Sequence, residues 1–269
     1  MGAVRAAHAD LTRDPSIDAG QQAAFLRRYV DDRWPNDVAG KPRIIDPPAL
    51  TFDRLLAIYN SASDNEIKIV VTLHGINTHG TWQKQITPWM GLQGWIHLPL
   101  DYGKYPANVV DWASFLAGHT RARLLHLIRD TYDEIKHDAA YNCYIDHVAV
   151  IAHSFGSKIV ADSLTRYEHL LRFEKFIFCG SIVNADYDWD SLLKAGRIKG
   201  VLNEYGWHDS WTRAYRSLRH REIAGVTGFT SHSPMIVNRF RQVTHSDWFN
   251  RLQFETVWVP YLRTGLPPP

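Results

Sequence analysis

Cysteine is almost missing from this chain: Cys143 and Cys179 are the two in 269 residues. At most one bridge could form, so no disulfide framework holds the fold, and neither residue shows the spacing of a metal-ligand pair. Cys179 lies in a strongly apolar run and is expected to be a small buried hydrophobe. Long apolar runs are missing too. Nothing approaches the roughly 20 residues needed to span a bilayer, and the first ten residues lack the apolar segment of a secretory leader. Charge of one sign is also absent. The 30 Lys and Arg against 28 Asp and Glu give a net charge of +2, and they are scattered, so there is no electrostatic case for nucleic acid. The densest basic cluster, Arg216, Arg219, His220 and Arg221, is expected to be a solvated face. Arg27, Arg28 and Arg33 share a short helical pattern with Asp31 and Asp32, which is not the basic amphipathic helix of a membrane binder. No repeat and no low-complexity segment is present. The expectation is a cytoplasmic protein without a transmembrane segment. Peripheral membrane contact stays open, and the sequence sets no oligomeric state.

What is present is alternation. Residues 23–34 and 51–59 carry short amphipathic helix patterns separated by proline-rich connector. Two short helices cannot bury a core alone, so 1–64 is expected to be a helical arm packed on a main domain at 65–265. Apolar, β-branched runs follow at 67–73, 94–98, 148–152, 176–183, 197–205 and 235–243. Helix-period segments at 120–137 and 157–171 fall between them, with at most a turn or two at 191–194 and a terminal helix from 249 that ends near Pro260. Strands alternating with helices predict an α/β fold with a mostly parallel, doubly wound sheet. The loop after the first strand, His74-Gly75-Ile76-Asn77-Thr78-His79-Gly80, is glycine-rich, and 77–94 is a candidate cover for a site. Ten tryptophans are many for this length. Most should be core or pocket wall, and Trp82, Trp89, Trp95, Trp207 and Trp248 fall near the expected mouth.

One stretch carries chemistry. The run Val148-Ala149-Val150-Ile151 breaks at Ala152-His153-Ser154-Phe155-Gly156, and a helix pattern begins at once. A serine at such a strand–turn–helix elbow is held with its hydroxyl exposed. The residues two before and two after must be small, because strand and helix approach closely there. The plainer reading is a tight turn in which Ser154 caps the helix. A serine hydroxyl needs a base and an acceptor that orients the base. In open α/β sheets these groups gather at the carboxyl ends of strands. His245 directly follows the last strand; His208, His220 and His232 are its competitors. Asp209 follows the strand before, where it could also simply cap the helix pattern from Ser210. Asp186, Asp188 and Asp190 are the alternative acids. Backbone N–H groups of Phe155 and Ile76 are the candidate oxyanion donors. His74 and His79 could be read as metal ligands, but no third ligand is suggested nearby.

Leu73-His74-Gly75-Ile76, Ala152-His153-Ser154-Phe155-Gly156, the segment 203–209 and Thr244-His245-Ser246-Asp247 together resemble the α/β-hydrolase superfamily, and within it the lipase-like serine esterases. Alanine at the first elbow position is similar to small bacterial lipases that pair this elbow with His-Gly-Ile. The resemblance covers about 67–262. It implies a sheet of the α/β-hydrolase type and a Ser154–Asp209–His245 triad working through an acyl-enzyme, without metal or cofactor, on a small-molecule or lipid ester. Thioesterase, phospholipase or acyltransferase chemistry uses the same triad. A non-catalytic ligand-binding module on the same fold is the alternative from a different class.

Overall fold

A computed structural model describes residues 68–75, 80–93, 95–100, 126, 128, 129 and 147–266. The expected arm at 1–64, most of the helix expected at 120–137, Ile76 and Cys143 lie outside these residues. Among the described residues six strands form one sheet: β1 (Lys68–Leu73), β2 (Trp95–Leu100), β3 (His147–His153), β4 (Lys175–Cys179), β5 (Gly200–Tyr205) and β6 (Ile236–Phe240). The order is β2-β1-β3-β4-β5-β6, and every pair is parallel. The chain moves from β1 to one edge at β2, then returns to β1's other side at β3. The crevice between the carboxyl ends of β1 and β3 is therefore the switch point of the sheet, where α/β folds bind ligands.

Side-chain alternation gives the inner strands two buried faces, whereas on the edge strand β6 only Ile236 is buried. Ile69, Val71, Leu73, Val150, Ala152, Phe176 and Phe178 point to one core; Val70, Ala149, Ile151, Ile177, Cys179 and Leu202 point to the other. The first core is closed by α2 (Phe155–Arg166), α3 (Trp189–Lys194), α4 (Ser210–Arg219) and α5 (Ala224–Thr227) through Ile159, Leu164, Trp189, Tyr215 and Val226. The second is closed by α1 (Thr81–Leu92) and the C-terminal helices. Each of these large apolar side chains contributes about 1.5–3 kcal/mol on full burial. Cys179 is a small member of the second core, and its burial pushes the thiol well above its ordinary range.

Two expectations are corrected here. Residues 81–92, part of the candidate cover, are a crossover helix that buries Trp82, Ile86 and Met90 at four-residue spacing. Pro88 hides this helix in the sequence. It is tolerated because Pro88 and Lys84, the residue one turn back, both face solvent. The terminal helix does not stop near Pro260. It runs as α6 (Arg251–Gln253), a π turn (Phe254–Trp258) and α7 (Val259–Thr264), with Pro260 in the first turn of α7. Pro260 has no N–H to give to the turn before it, and the wide π turn there eases the clash of its ring with that turn. Strands β4 and β6 are also shorter than their apolar runs. Among the described residues no helix is long and apolar enough to cross a membrane.

Glu204, near the end of β5, is fully buried. It accepts from Trp258 Nε1 (2.8 Å), Arg239 Nη1 (3.0 Å) and Gln253 Nε2, and so ties the C-terminal helices to the sheet edge. Burial outweighs these donors and raises its pKa above the ordinary carboxylate value. A raised folded-state pKa gives stability that is present below the unfolded pKa and lost as pH rises through the folded one. Glu204→Gln does not titrate. Its stability relative to wild type should therefore improve as pH rises through that window, and urea denaturation at stepped pH checks it. A pH-independent difference would mean that Glu204 does not carry the step.

Candidate active site

Ser154 takes φ 51° and ψ −119°, a conformation L residues rarely adopt. Its side chain makes no capping hydrogen bond to α2, whereas Asp188, Asp209 and Asn250 do cap the helices they begin. The capping role is thus not what holds a serine here. The bend is held by backbone: Ser154 N donates to Cys179 O at 3.0 Å, and Ser157 N and Oγ donate to Ser154 O at 3.1 and 2.5 Å. A Cβ on Gly156 would stand 2.7 Å from His74 O and 2.8 Å from Leu73 O. Glycine at this position is therefore required by the approach of α2 to the end of β1. Ala152, two residues before Ser154, is fully buried. On the other side of the crevice, a Cβ on Gly75 would lie 3.3 Å from Ser154 Oγ. The loop leaving β1 starts directly against the hydroxyl.

Asp209 and His245 meet at the far end of the sheet's carboxyl edge. His245 Nδ1 donates to Asp209 Oδ2 at 2.7 Å. The carboxylate is wholly buried and the imidazole is 18% exposed. Asp209 Oδ1 accepts from Thr212 N at 3.0 Å. Asp209 therefore makes both contacts at once: one oxygen starts α4 and the other takes the imidazole. With the proton on Nδ1, the lone pair of His245 lies on Nε2. The pair fits only because residue 180 is glycine. A Cβ there would stand 2.7 Å from Asp209 Oδ2 and 3.4 Å from His245 Nδ1, at φ 54°. His153 links the pair to the elbow: its Nε2 donates to His245 O at 2.9 Å, and the two rings lie 4.4 Å apart.

The competitors are placed elsewhere. Asp188 caps α3, Asp190 accepts from Ser231 Oγ at 2.8 Å, and Asp186 is exposed. His208, His220 and His232 are exposed. His74 is buried and donates Nδ1–H to Gly75 O at 2.6 Å; His79 lies outside the described residues. Among the described residues no group of three His, Cys, Asp or Glu side chains could hold a metal. Of the candidate oxyanion donors, Phe155 opens α2 beside Ser154, and Ile76 lies outside the described residues.

Most of the tryptophans that fall near the expected mouth belong to the core, the role expected for the majority. Trp82, Trp95 and Trp248 are buried, and Trp89 packs on Phe254 with centroids 5.5 Å apart. Their large apolar area is spent in the core, and of the five only Trp207 is exposed, at 54%. The aromatic that does stand beside His245 was not singled out by the sequence. Trp211, in the first turn of α4, is 51% exposed with its ring centroid 6.5 Å from His245. Its position two residues after Asp209 is the signal that could have found it.

No protein-family model matches the sequence, and no curated protein matches it. Among solved structures, the chain is similar to a CIB-like hydrolase of Thermoplasma acidophilum, with 14% identity, 73% of this chain and 86% of the other covered, and a TM-score of 0.44. It is also similar to a carboxylesterase of Bacillus subtilis (12%, 79% and 98%, TM-score 0.43) and a dienelactone hydrolase of Anabaena variabilis (12%, 70% and 80%, TM-score 0.41). Likenesses this distant carry no weight for substrate or mechanism. The all-parallel sheet, its switch point and the serine elbow above it make this an α/β fold of the α/β-hydrolase type.

Proposed function

We propose that the chain is a serine hydrolase that cleaves a carboxylic ester, of a small molecule or a lipid, through an acyl-enzyme. The observation that carries this reading is the buried Asp209–His245 pair, tied through His153 to a positive-φ serine whose hydroxyl caps nothing. In the reaction, His245 Nε2 takes the Ser154 proton as Oγ attacks the ester carbonyl. Backbone N–H groups of Phe155 and Ile76 receive the oxyanion. The ester C–O bond breaks, and His245 returns the proton to the leaving alcohol. Water then attacks the acyl-enzyme, giving one proton to His245; the acid leaves and Ser154 Oγ recovers its hydrogen. No metal or cofactor enters these steps.

The test is labelling by a fluorophosphonate, with the modified peptide mapped by mass spectrometry. Labelling at Ser154 in wild type, and none in Ser154→Ala or His245→Ala, is expected. A folded wild type that resists the reagent while binding ligands would turn the reading toward a binding module. Ester, thioester and phospholipid panels separate the chemistries that share the triad.

Trp211 supports an apolar group on the substrate at the side of His245. Trp211→Ala should raise KM for hydrophobic esters by about tenfold, the worth of ~1.4 kcal/mol, and leave acetate esters nearly unchanged. Equal effects on both would remove Trp211 from substrate binding.

A further inference from the structure

We propose that His153 is a positioning residue for His245: its Nε2–H holds the backbone carbonyl of the base, and its ring packs beside the base ring. The inference rests on the hydrolase reading above and concerns how that site is kept in register.

His245 stands in a turn, in neither strand nor helix. Its ring is fixed by Asp209 at one nitrogen, which leaves rotation and drift of the loop to be restrained elsewhere. His153 supplies that restraint from a rigid element, the last residue of β3. A carbonyl can only accept, so the 2.9 Å contact to His245 O puts the hydrogen of His153 on Nε2. The ring is wedged from both sides. It lies 4.4 Å from the His245 ring at 43°, and it meets Phe249 edge-on at 5.1 Å. Phe249 is stacked on Trp82 of α1 at 4.0 Å and 8°, and touches Trp258. The base loop is thus clamped between β3, α1 and the C-terminal helices.

His153 is adjacent in sequence to the nucleophile, yet it is ill suited to take its proton. Its Nδ1 is buried and has no hydrogen-bond partner among the described residues. Nδ1 lies 3.3 Å from where a Gly75 Cβ would stand. Among the described residues the titratable groups facing it are His245 and His74, both of which repel a second positive charge. Burial is the larger cause and their charge the lesser, and together they hold the ring well below the ordinary histidine range. The same ring that steadies the base therefore stays out of the proton relay, and Nε2–H remains a donor across the working pH range.

The deciding comparison is His153→Phe against His153→Gln, with kcat, KM and fluorophosphonate labelling rate measured on each. Phenylalanine keeps the ring and loses the donor; a glutamine N–H can reach about the place of Nε2–H. Misplacing a catalytic group by an ångström costs roughly 10²-fold. His153→Phe should lose about 10- to 100-fold in kcat and labelling rate with KM within about twofold, and His153→Gln should recover most of that loss. Heteronuclear NMR of wild-type imidazoles should show His153 as the Nε2–H form with no titration near neutrality. A wild type that is not labelled overturns the hydrolase reading and this role with it. A labelled wild type whose His153→Phe variant labels equally fast overturns this role alone. So does His153→Gln behaving no better than His153→Phe.

Discussion

Replacing Ser154 with glycine should abolish turnover and, in the same step, make the protein more stable. The hydroxyl carries the first effect and the backbone conformation the second. At φ 51° and ψ −119° the Cβ of Ser154 is crowded by its own backbone, and such a conformation costs about 1–3 kcal/mol for a residue other than glycine. The surroundings impose it: the bonds from Ser154 N to Cys179 O and from Ser157 to Ser154 O fix the bend from both sides. Glycine adopts the conformation freely but loses about 0.5–1 kcal/mol through a more flexible unfolded chain. The net gain is therefore expected at about 1 kcal/mol, or roughly 2–4 °C in Tm. Ser154→Ala, which keeps the strain, should lose the same activity without the gain. Both should lose about 10⁴-fold or more in kcat, since nucleophile and base act as a unit. His220 is a useful contrast. It also has positive φ, but at φ 50° and ψ 36° it ends α4 in the left-handed region that helix ends commonly use. A Ser154→Gly protein less stable than Ser154→Ala would show that the elbow stores no strain. Substantial esterase turnover in either variant would remove Ser154 from the chemistry.

The elbow was legible because it obeys simple local rules. A β-branched run, two small residues and an immediate helix period admit few other shapes, and Gly156 meets the backbone of β1 where such a glycine would have to. Asp209 and His245 were legible as neighbours for a topological reason: each follows a strand, and parallel strands bring those ends together. What was not legible depends on contacts across many residues or on local rules that the fold overrides. Pro88 signals a break, but it falls on the wet side of α1. Pro260 signals a stop, but a π turn precedes it. The burial of Trp95 and Trp248 cannot be told from exposure by composition, because a tryptophan serves a core and a mouth equally well. Glu204 looks like an ordinary edge carboxylate in sequence; its three donors come from β6 and the C-terminal helices, 35 to 54 residues away. His153 belongs with these, since its partner carbonyl is 92 residues distant.

Asp209→Asn should separate catalysis from stability more cleanly than any other change in the site. A carboxylate has two acceptors, and both are in use: Oδ1 takes Thr212 N and Oδ2 takes His245 Nδ1. An amide has one acceptor, so helix and imidazole compete for it. The helix must win. Thr212 N–H can only donate, and leaving it buried against an amide N–H would cost about 1–3 kcal/mol. An imidazole escapes the conflict by moving its hydrogen. The amide oxygen therefore stays with Thr212 N, the amide nitrogen donates to His245 Nδ1, and the imidazole hydrogen shifts to Nε2. In that tautomer Nε2 cannot accept the Ser154 proton. Turnover should fall by about 10⁴-fold, as expected for a base held in the wrong tautomer, while stability stays within about 1 kcal/mol of wild type. Asp209→Ala should lose comparable activity and also the cap, a further ~0.5–2 kcal/mol. Activity and urea denaturation on the two variants decide it. Near-wild-type turnover in Asp209→Asn would mean that another group orients His245, and a large stability loss in that variant would mean that the amide turned toward the imidazole instead.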